Sequence, residues 1–443
     1  MSRSTSVKGF PEWLPDQRMV EQHLIDIIRA RYELHGFVPV ETRAVEPVDV
    51  LTSKGEVDKE IYVLRRIHAE DDDGEAGLGL HFDLTVPFAR YVVQNRGKLL
   101  LPLRRYQIQK VWRGERPQDG RFREFYQCDA DVIGSGALST HYDTELALIL
   151  HDVLSHLPVP PVTIRVNNRK VLEGFYRALG IEDLTATLRI VDKLDKIGPQ
   201  RVIAELTEKL GVAEATAQAA LSLASIRGGR EVVGAVEALG YRHPLLEEGL
   251  AELDAVLQAA ADLPENALIA DLKIARGLDY YTGTVYEGTL QGHEGLGSVC
   301  SGGRYDNLAA SLGSKEKLPG IGVSIGLSRI LARLFSTGGL KASRQVPTCV
   351  LVALPSAVAR PAAMAVARRL REGGVAAEVF DQPRKYGDQI KYASQRGIPW
   401  VYFLPDDQRP TDTVRDLRSG AQVEVDSAWL PPEADWKVTF LRG

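Results

Sequence analysis

The chain has 443 residues, 44% of them hydrophobic and 26% charged, with a formal net charge of −5. At about 150 residues per domain, this predicts roughly three domains of ordinary soluble balance. The charge excludes a globally basic nucleic-acid coat, although a local positive patch would still serve a nucleic-acid enzyme. Cys128, Cys300 and Cys349 are far apart and form no CxxC, which argues against a structural zinc site and a disulfide framework. No apolar leader core and no membrane-length apolar run is expected, so the predicted setting is the reducing cytoplasm, away from membranes.

In chain order, residues 16–34 read as a helix capped by Asp16, with Val20, Leu24, Ile27 and Ile28 on its buried face and Gly36 as its stop. The chain is then extended through FVPVETRAVEP. Residues 61–135 are rich in strand patterns, with one helix after Pro87 and a long antiparallel hairpin over 104–133 that turns at PQDG. A further helix is expected at 140–156. From about 170 to 262, Ala, Leu and Glu dominate, as in a helical insertion, and strand and glycine patterns return at 267–330. Residues 336–347 read as a linker. Beyond them, TCVLVAL, a helix near 356–372, VAAEVF, a helix near 387–396 and WVYFLP alternate as a small parallel α/β domain.

Alternation along the second strand of the hairpin puts Arg121, Arg123, Phe125, Gln127, Asp129 and Asp131 on one face. Between 104 and 123, seven basic residues face two acidic ones, a local net of +5. Arginine forks hold phosphate oxygens, so this hairpin is a phosphate-site candidate, or else a solvated ion-paired face. LHFDLTVPFAR sets His81, Asp83 and Thr85 on one face, where Asp83 can hold an ammonium group or simply shape the turn before a helix. In IARGLDYYTGTVYE, Tyr280 and Tyr281 can clamp a ring beside Arg276, or serve as core aromatics. The glycines of SVCSGGRYDNL allow close approach of a backbone or ligand. Those of GIGVSIGLSRI lack the strand–GxGxxG–helix context of a dinucleotide fingerprint. They can leave room for a planar base, with Arg329 on the helix that follows.

Together and in this order, these segments resemble the histidyl-tRNA synthetases, a family of class II aminoacyl-tRNA synthetases. HGFVPVETRAVEP is similar to motif 1, VWRGERPQDGRFREFYQCD to motif 2 and GIGVSIGLSR to motif 3. RGLDYYTGTVYE and SVCSGGRYDNL resemble the two signatures peculiar to the histidine enzymes. Arg43 stands where motif 1 usually has proline, and Asp83 and Asp131 stand where many bacterial members have Glu. Ser328 stands where motif 3 often has Glu. The tail, with KYGDQIKYASQRGI, resembles the family's anticodon-binding domain. A non-catalytic histidine-binding paralogue would be expected to lose the motif arginines and this tail, and both are present.

The resemblance implies an α+β catalytic domain with a mostly antiparallel sheet over 1–169 and 263–335, a helical insertion at 170–262, and an anticodon-binding α/β domain at 346–443. It implies ATP-dependent activation of L-histidine and transfer to the 3′ end of tRNA(His). Arg113 would hold the α-phosphate and the histidine carboxylate, and Arg276 would stabilise transition-state charge from the other side. Glu115, Arg121 and Arg329 would complete the ATP site. Mg2+ would accompany the phosphates, with no resident metal in the protein. Asp83, Thr85 and Gln127 would take the α-ammonium, and Asp131 with Tyr280 or Tyr281 the imidazole. Gln127 and Asp131 lie roughly 13 Å apart by strand rise. Arg116 and Gln118, at the hairpin turn, would read the tRNA acceptor end. Residues 16–47 would build a homodimer.

Overall fold

The computed structural model describes residues 6–53, 60–67, 77–118, 120–274, 280–406 and 409–442. The chain divides into two compact units, Met1–Pro11 with Leu24–Leu334, and Glu12–His23 with Phe335–Gly443.

In the first unit, the strands are β1 (Val38–Pro39), β2 (Val45–Pro47), β3 (Leu78–Leu80), β4 (Leu103–Trp112), β5 (Glu124–Ile133), β6 (Val162–Asn168), β7 (Arg227–Gly228), β8 (Leu268–Asp271), β9 (Thr284–Leu290), β10 (Ser298–Tyr305) and β11 (Gly320–Ile325). Nine of them form one sheet in the order β1-β4-β5-β11-β10-β9-β6-β8-β7. Only β1/β4 and β6/β8 pair in parallel; the other neighbours are antiparallel. β5 is buried on both faces from Gln127 to Ile133, which a central strand requires.

The same unit carries a set of helices. They begin with α1 (Pro15–Leu34), whose residues from Leu24 belong here, α2 (Val48–Thr52), α3 (Thr85–Gln94), α4 (His141–Ser155) and α5 (Arg169–Ala178). The helical insertion expected at 170–262 takes in α5 from its second residue, and then α6 (Leu184–Val191), α7 (Leu194–Ile197), α8 (Pro199–Leu210), α9 (Glu214–Ala224), α10 (Val232–Glu237) and α11 (Pro244–Ala259). The short β7 ties this stretch to the edge of the large sheet. Helices α4, α5 and α11 pack on that sheet. α5 and α11 cross closely because a Cβ at Gly174 would lie 2.3 Å from the Leu246 nitrogen, and one at Gly249 2.6 Å from the Val171 nitrogen. α12 (Leu308–Ser311) and α13 (Leu327–Thr337) follow, the latter running into the second unit.

Two starts differ from expectation. Helix α1 begins at Pro15, so Asp16 lies inside its first turn, where a carboxylate meets the positive end of the helix dipole. Proline is favoured at that first position because its missing N–H has no helical partner; Gln17 Oε1 accepts from the Leu14 N–H at 3.1 Å. Helix α3 begins at Thr85, two residues before Pro87, because a proline in the first turn removes no helical hydrogen bond. Leu24 and Ile28 are buried as expected, while Ile27 is only half-buried.

The second unit carries β12 (Leu340–Ala342), β13 (Val350–Val352), β14 (Ala377–Val379), β15 (Trp400–Phe403), β16 (Thr413–Asp416), β17 (Gln422–Glu424) and β18 (Phe440–Arg442), with α14 (Arg360–Glu372) and α15 (Tyr386–Arg396). Its sheet runs β14-β13-β15-β16-β17. The first three strands are parallel, as the β-α-β-α-β pattern requires, and β16 and β17 extend them antiparallel. The expected linker at 336–347 is partly a strand, since β12 pairs with β18 from the end of the chain. Such a pairing has no local signal in sequence.

Candidate active site

A cavity of about 490 Å³ opens over the first unit's sheet, lined from β5, β9, β10 and β11, from the β4–β5 turn, and from the loop ahead of α3. Asp83, Thr85, Arg113, Glu115, Arg121, Gln127, Asp131, Tyr280, Tyr281 and Arg329 all line it. Register explains the convergence. Asp131 sits between Arg105 on β4 and Gly322 on β11, and Asp129 between Gln107 and Ser324. Residues nearly 200 apart in sequence thus become side-by-side neighbours. Arg276 lies outside the described residues, as do its neighbours 275 and 277–279.

One end of the cavity is built around Asp131. Its Oδ2 pairs with the fully buried Arg105 guanidinium at 2.7 Å, and its Oδ1 accepts from the Tyr305 hydroxyl at 2.6 Å. Arg105 also lies over the Phe88 ring at 4.2 Å. The small residues of β11 leave room for these side chains. A Cβ at Gly322 would fall 2.0 Å from Asp131 Oδ1, and one at Gly320 2.3 Å from the Tyr305 ring. The space beside Gly320 and Gly322 is thus taken by a phenol and a carboxylate, while Gly326, three residues before Arg329, lines the cavity. Tyr280 and Tyr281 meet with ring centroids 4.2 Å apart, and burial raises the Tyr280 phenol pKa. Gly303 lets Tyr281 lie against β10, where a Cβ would be 2.8 Å from its ring.

The middle of the cavity is polar. Gln127 Nε2 donates to Ser324 Oγ at 2.8 Å and reaches Asp129 Oδ1 at 3.4 Å, which turns its carbonyl oxygen toward Arg113 Nη2 at 3.4 Å. Arg113 Nε donates to the Phe82 carbonyl at 2.9 Å, and its guanidinium lies 5.2 Å from the Phe125 ring centroid. Asp83 lines the cavity and also accepts from the Val86 N–H at 3.2 Å, so it shapes the start of α3. His81, packed against Trp112, bonds through Nε2 to the Lys110 carbonyl at 2.7 Å and holds this loop on β4.

The other end is cationic. Arg329, on the first turn of α13, donates from Nε to the Gly120 carbonyl at 3.3 Å and from Nη1 to the Ser298 carbonyl. Glu115 lies between Arg113 at 3.7 Å and Arg121 at 3.4 Å. Burial and the neighbouring Arg121 charge lower the Arg329 pKa from its ordinary value, so this cluster gains from an anionic ligand. Ser328 has its own task, accepting from the Tyr126 N–H at 3.0 Å, while backbone carbonyls anchor Arg329. At the turn, Gln118 pairs with Arg121. Arg116 and Gln118 are exposed and do not line the cavity.

Sequence reading assigned no role to Asp129, Arg105, Ser324 or Tyr305. Asp129 carried a signal, sharing its face with Gln127 and Asp131. Arg105 was one of seven basic residues, and nothing local marks it as the buried one.

Arginines delivered by an antiparallel hairpin and by the helix after a neighbouring strand, on a sheet of this order, are how class II aminoacyl-tRNA synthetases build their adenylate site, and this fold is of that class. The histidyl-tRNA synthetase family model matches residues 9–330, and an anticodon-binding domain model matches residues 348–432. The chain is 51% identical over 447 aligned positions to a histidine–tRNA ligase of Cutibacterium acnes, covering 98% of each. It is 54% identical over 429 positions to that of Thermobifida fusca, covering 96% of this chain and 98% of the relative. The crystal structure of histidyl-tRNA synthetase from Nostoc sp. PCC 7120 superposes with a TM-score of 0.85 at 37% identity, covering 96% and 97% of the two chains. The chain belongs to the histidyl-tRNA synthetase family.

Proposed function

We propose the following division of labour among the residues of this histidine–tRNA ligase, which uses ATP to activate L-histidine and passes the histidyl group to tRNA(His). The observation that carries it is the polarity of the cavity, a carboxylate-and-tyrosine end joined through Gln127 and Arg113 to an arginine-rich end. A histidine carboxylate oxygen attacks the α-phosphorus of ATP, the bond to the β-phosphate bridge breaks, and pyrophosphate leaves. A ribose hydroxyl at the tRNA 3′ end then attacks the acyl carbon, and AMP leaves. Both steps need positioning and charge neutralisation more than a protein nucleophile.

Arg113 bridges the histidine carboxylate and the α-phosphate, and Arg276, from the family's signature, opposes it. Arg121, Arg329 and Glu115 take the rest of ATP. Asp83, Thr85 and Gln127 receive the α-ammonium, and Asp131 with Tyr280 or Tyr281 receives the imidazole. Mg2+ travels with the β- and γ-phosphates. This ion readily keeps water and phosphate oxygens as ligands. The exposed turn at Arg116 and Gln118 reads the acceptor end. The segment 346–443 reads the anticodon region, and 170–262 is the insertion. Residues 16–47 build a homodimer, supported by Leu34 and Val38 standing 74% and 47% exposed beside the sheet's edge strand β1. A reducing cytoplasmic setting suits three buried cysteines that form no disulfide, and no helix among the described residues is long and apolar enough to cross a membrane.

Histidine-dependent ATP–pyrophosphate exchange tests this reading. Exchange that requires histidine and is nearly abolished by Arg276→Ala is expected. Exchange indifferent to histidine, or to that substitution in a folded variant, would overturn the corresponding assignment.

A further inference from the structure

Asp129 lines the cavity although it is only 2% exposed, and no role has yet been given to it. It stands midway between the two residues assigned to opposite ends of the amino acid, on the same face of β5. Its neighbours come from five directions: Arg105 and Gln107 on β4, Gln127 and Asp131 on β5, Ser324 on β11, Asp83 ahead of α3, and Tyr32 on α1. Tyr305 on β10, Tyr280 and Arg113 surround the adjoining Asp131 or Gln127. Arg105 is a cation pressed among Asp83, Asp129 and Asp131, and its charge lowers the cost of burying Asp129.

We infer that Asp129 is a positioning residue for histidine, whose ionised carboxylate fixes the Gln127 amide with its N–H edge inward and its carbonyl oxygen toward the α-ammonium site. The inference rests on the reading of Gln127 and Asp131 as the histidine subsite. Gln127 has one donor edge and one acceptor edge. Its donor edge is occupied by Ser324 and Asp129, and Ser324 stands opposite Asp129 in the β5–β11 register. That arrangement requires Asp129 to accept. A protonated Asp129 keeps one accepting oxygen but gains a hydroxyl donor, which competes for the Gln127 carbonyl and loosens the hold on the amide's orientation. Burial, opposed by Arg105 and reinforced by Asp131, pushes the Asp129 carboxyl up to about 7. That loosening therefore sets in nearer to neutral pH than it would for an ordinary carboxyl. Arg105 couples the two ends of the site, since its charge is shared between Asp129 and its partner Asp131.

The test compares Asp129→Asn with the unmodified protein in pyrophosphate exchange from pH 6 to 8, measuring histidine and ATP KM separately. Taking the ratio of the two proteins at each pH removes the titration of histidine itself. The ratio of histidine KM values is expected to grow roughly tenfold from pH 6 to pH 8, the scale of one hydrogen bond to a charged group, while the ATP KM ratio stays flat. A histidine ratio independent of pH, or histidine and ATP KM moving together, would overturn the inference. If Asp129→Asn does not fold, the unmodified protein still decides the matter with triazolylalanine, whose ring stays neutral across this range. Tighter binding as pH rises through about 7 supports Asp129 as the titrating group, and a flat profile overturns it. Gln127→Ala separates the layers. An unchanged histidine KM in that variant removes the underlying subsite reading. A raised one with no pH-dependent Asp129 effect removes only this inference.

Discussion

Replacing Gly322 by alanine probes the Asp131 end of the cavity with a single methyl group. An ideal Cβ there lies 2.0 Å from Asp131 Oδ1 and 2.5 Å from its Cγ, with the Ala130 carbonyl oxygen at 3.2 Å. Contacts under 3.0 Å are not sustained by real Cβ atoms, so the carboxylate or strand β11 must move by about 1 Å in a close-packed interior. The carboxylate is not a flexible chain end, because Arg105 holds one oxygen at 2.7 Å and Tyr305 the other at 2.6 Å. A shift of that size weakens both bonds and leaves the Arg105 charge, wholly buried, badly matched. Overpacking costs about 1–3 kcal/mol, and breaking a buried pair outright about 3–5 kcal/mol. A partial displacement is therefore expected to cost about 2–4 kcal/mol. Urea unfolding of Gly322→Ala should show a lower midpoint with unchanged slope. Pyrophosphate exchange should show a histidine KM raised at least about tenfold with the ATP KM little changed. A variant with the parent's unfolding midpoint and histidine KM would refute both the steric argument and the place of Asp131 in histidine recognition.

Arg329→Lys removes the fork that reaches both the Gly120 and Ser298 carbonyls. It should raise the ATP KM about tenfold, with a smaller effect on histidine, as measured by exchange kinetics. Arg116→Ala combined with Gln118→Ala should leave exchange almost intact and cut aminoacylation of tRNA(His); equal losses in both assays would place the turn in the ATP site instead. Asp152 on α4 receives Arg31 at 2.6 Å and His35 at 2.9 Å. Burial raises its carboxyl pKa, but these two partners outweigh burial and leave it below the ordinary value. Stability from this cluster is thus present above the unfolded carboxyl pKa of about 3.9 and is lost as pH falls through the lower folded value. Asp152→Asn should cost about 0.5–1 kcal/mol in denaturant unfolding at pH 7, with the difference from the parent closing below about pH 4.

The sequence by itself determined the elements whose signals are local. Apolar spacing marked α1, alternation marked the β4–β5 hairpin and the face carrying Gln127, Asp129 and Asp131, and the β-α-β-α-β rhythm marked the second unit's parallel strands. The joint order of the motifs determined the family, because each motif is a short stretch whose residue types serve one chemical task. Tertiary structure alone decided which polar groups are buried together. Arg105 looks like any other cation of the hairpin until β11 and β10 bring Gly322 and Tyr305 beside Asp131. The glycines of β11 look like space for a ligand until register shows that the protein's own carboxylate and phenol occupy it. β12 is unreadable as a strand because its partner, β18, lies at the far end of the chain, and a strand of three residues has too little periodicity to declare itself. Local propensity acts over one or two turns of chain, whereas burial, charge pairing and pKa depend on neighbours that only the folded sheet supplies.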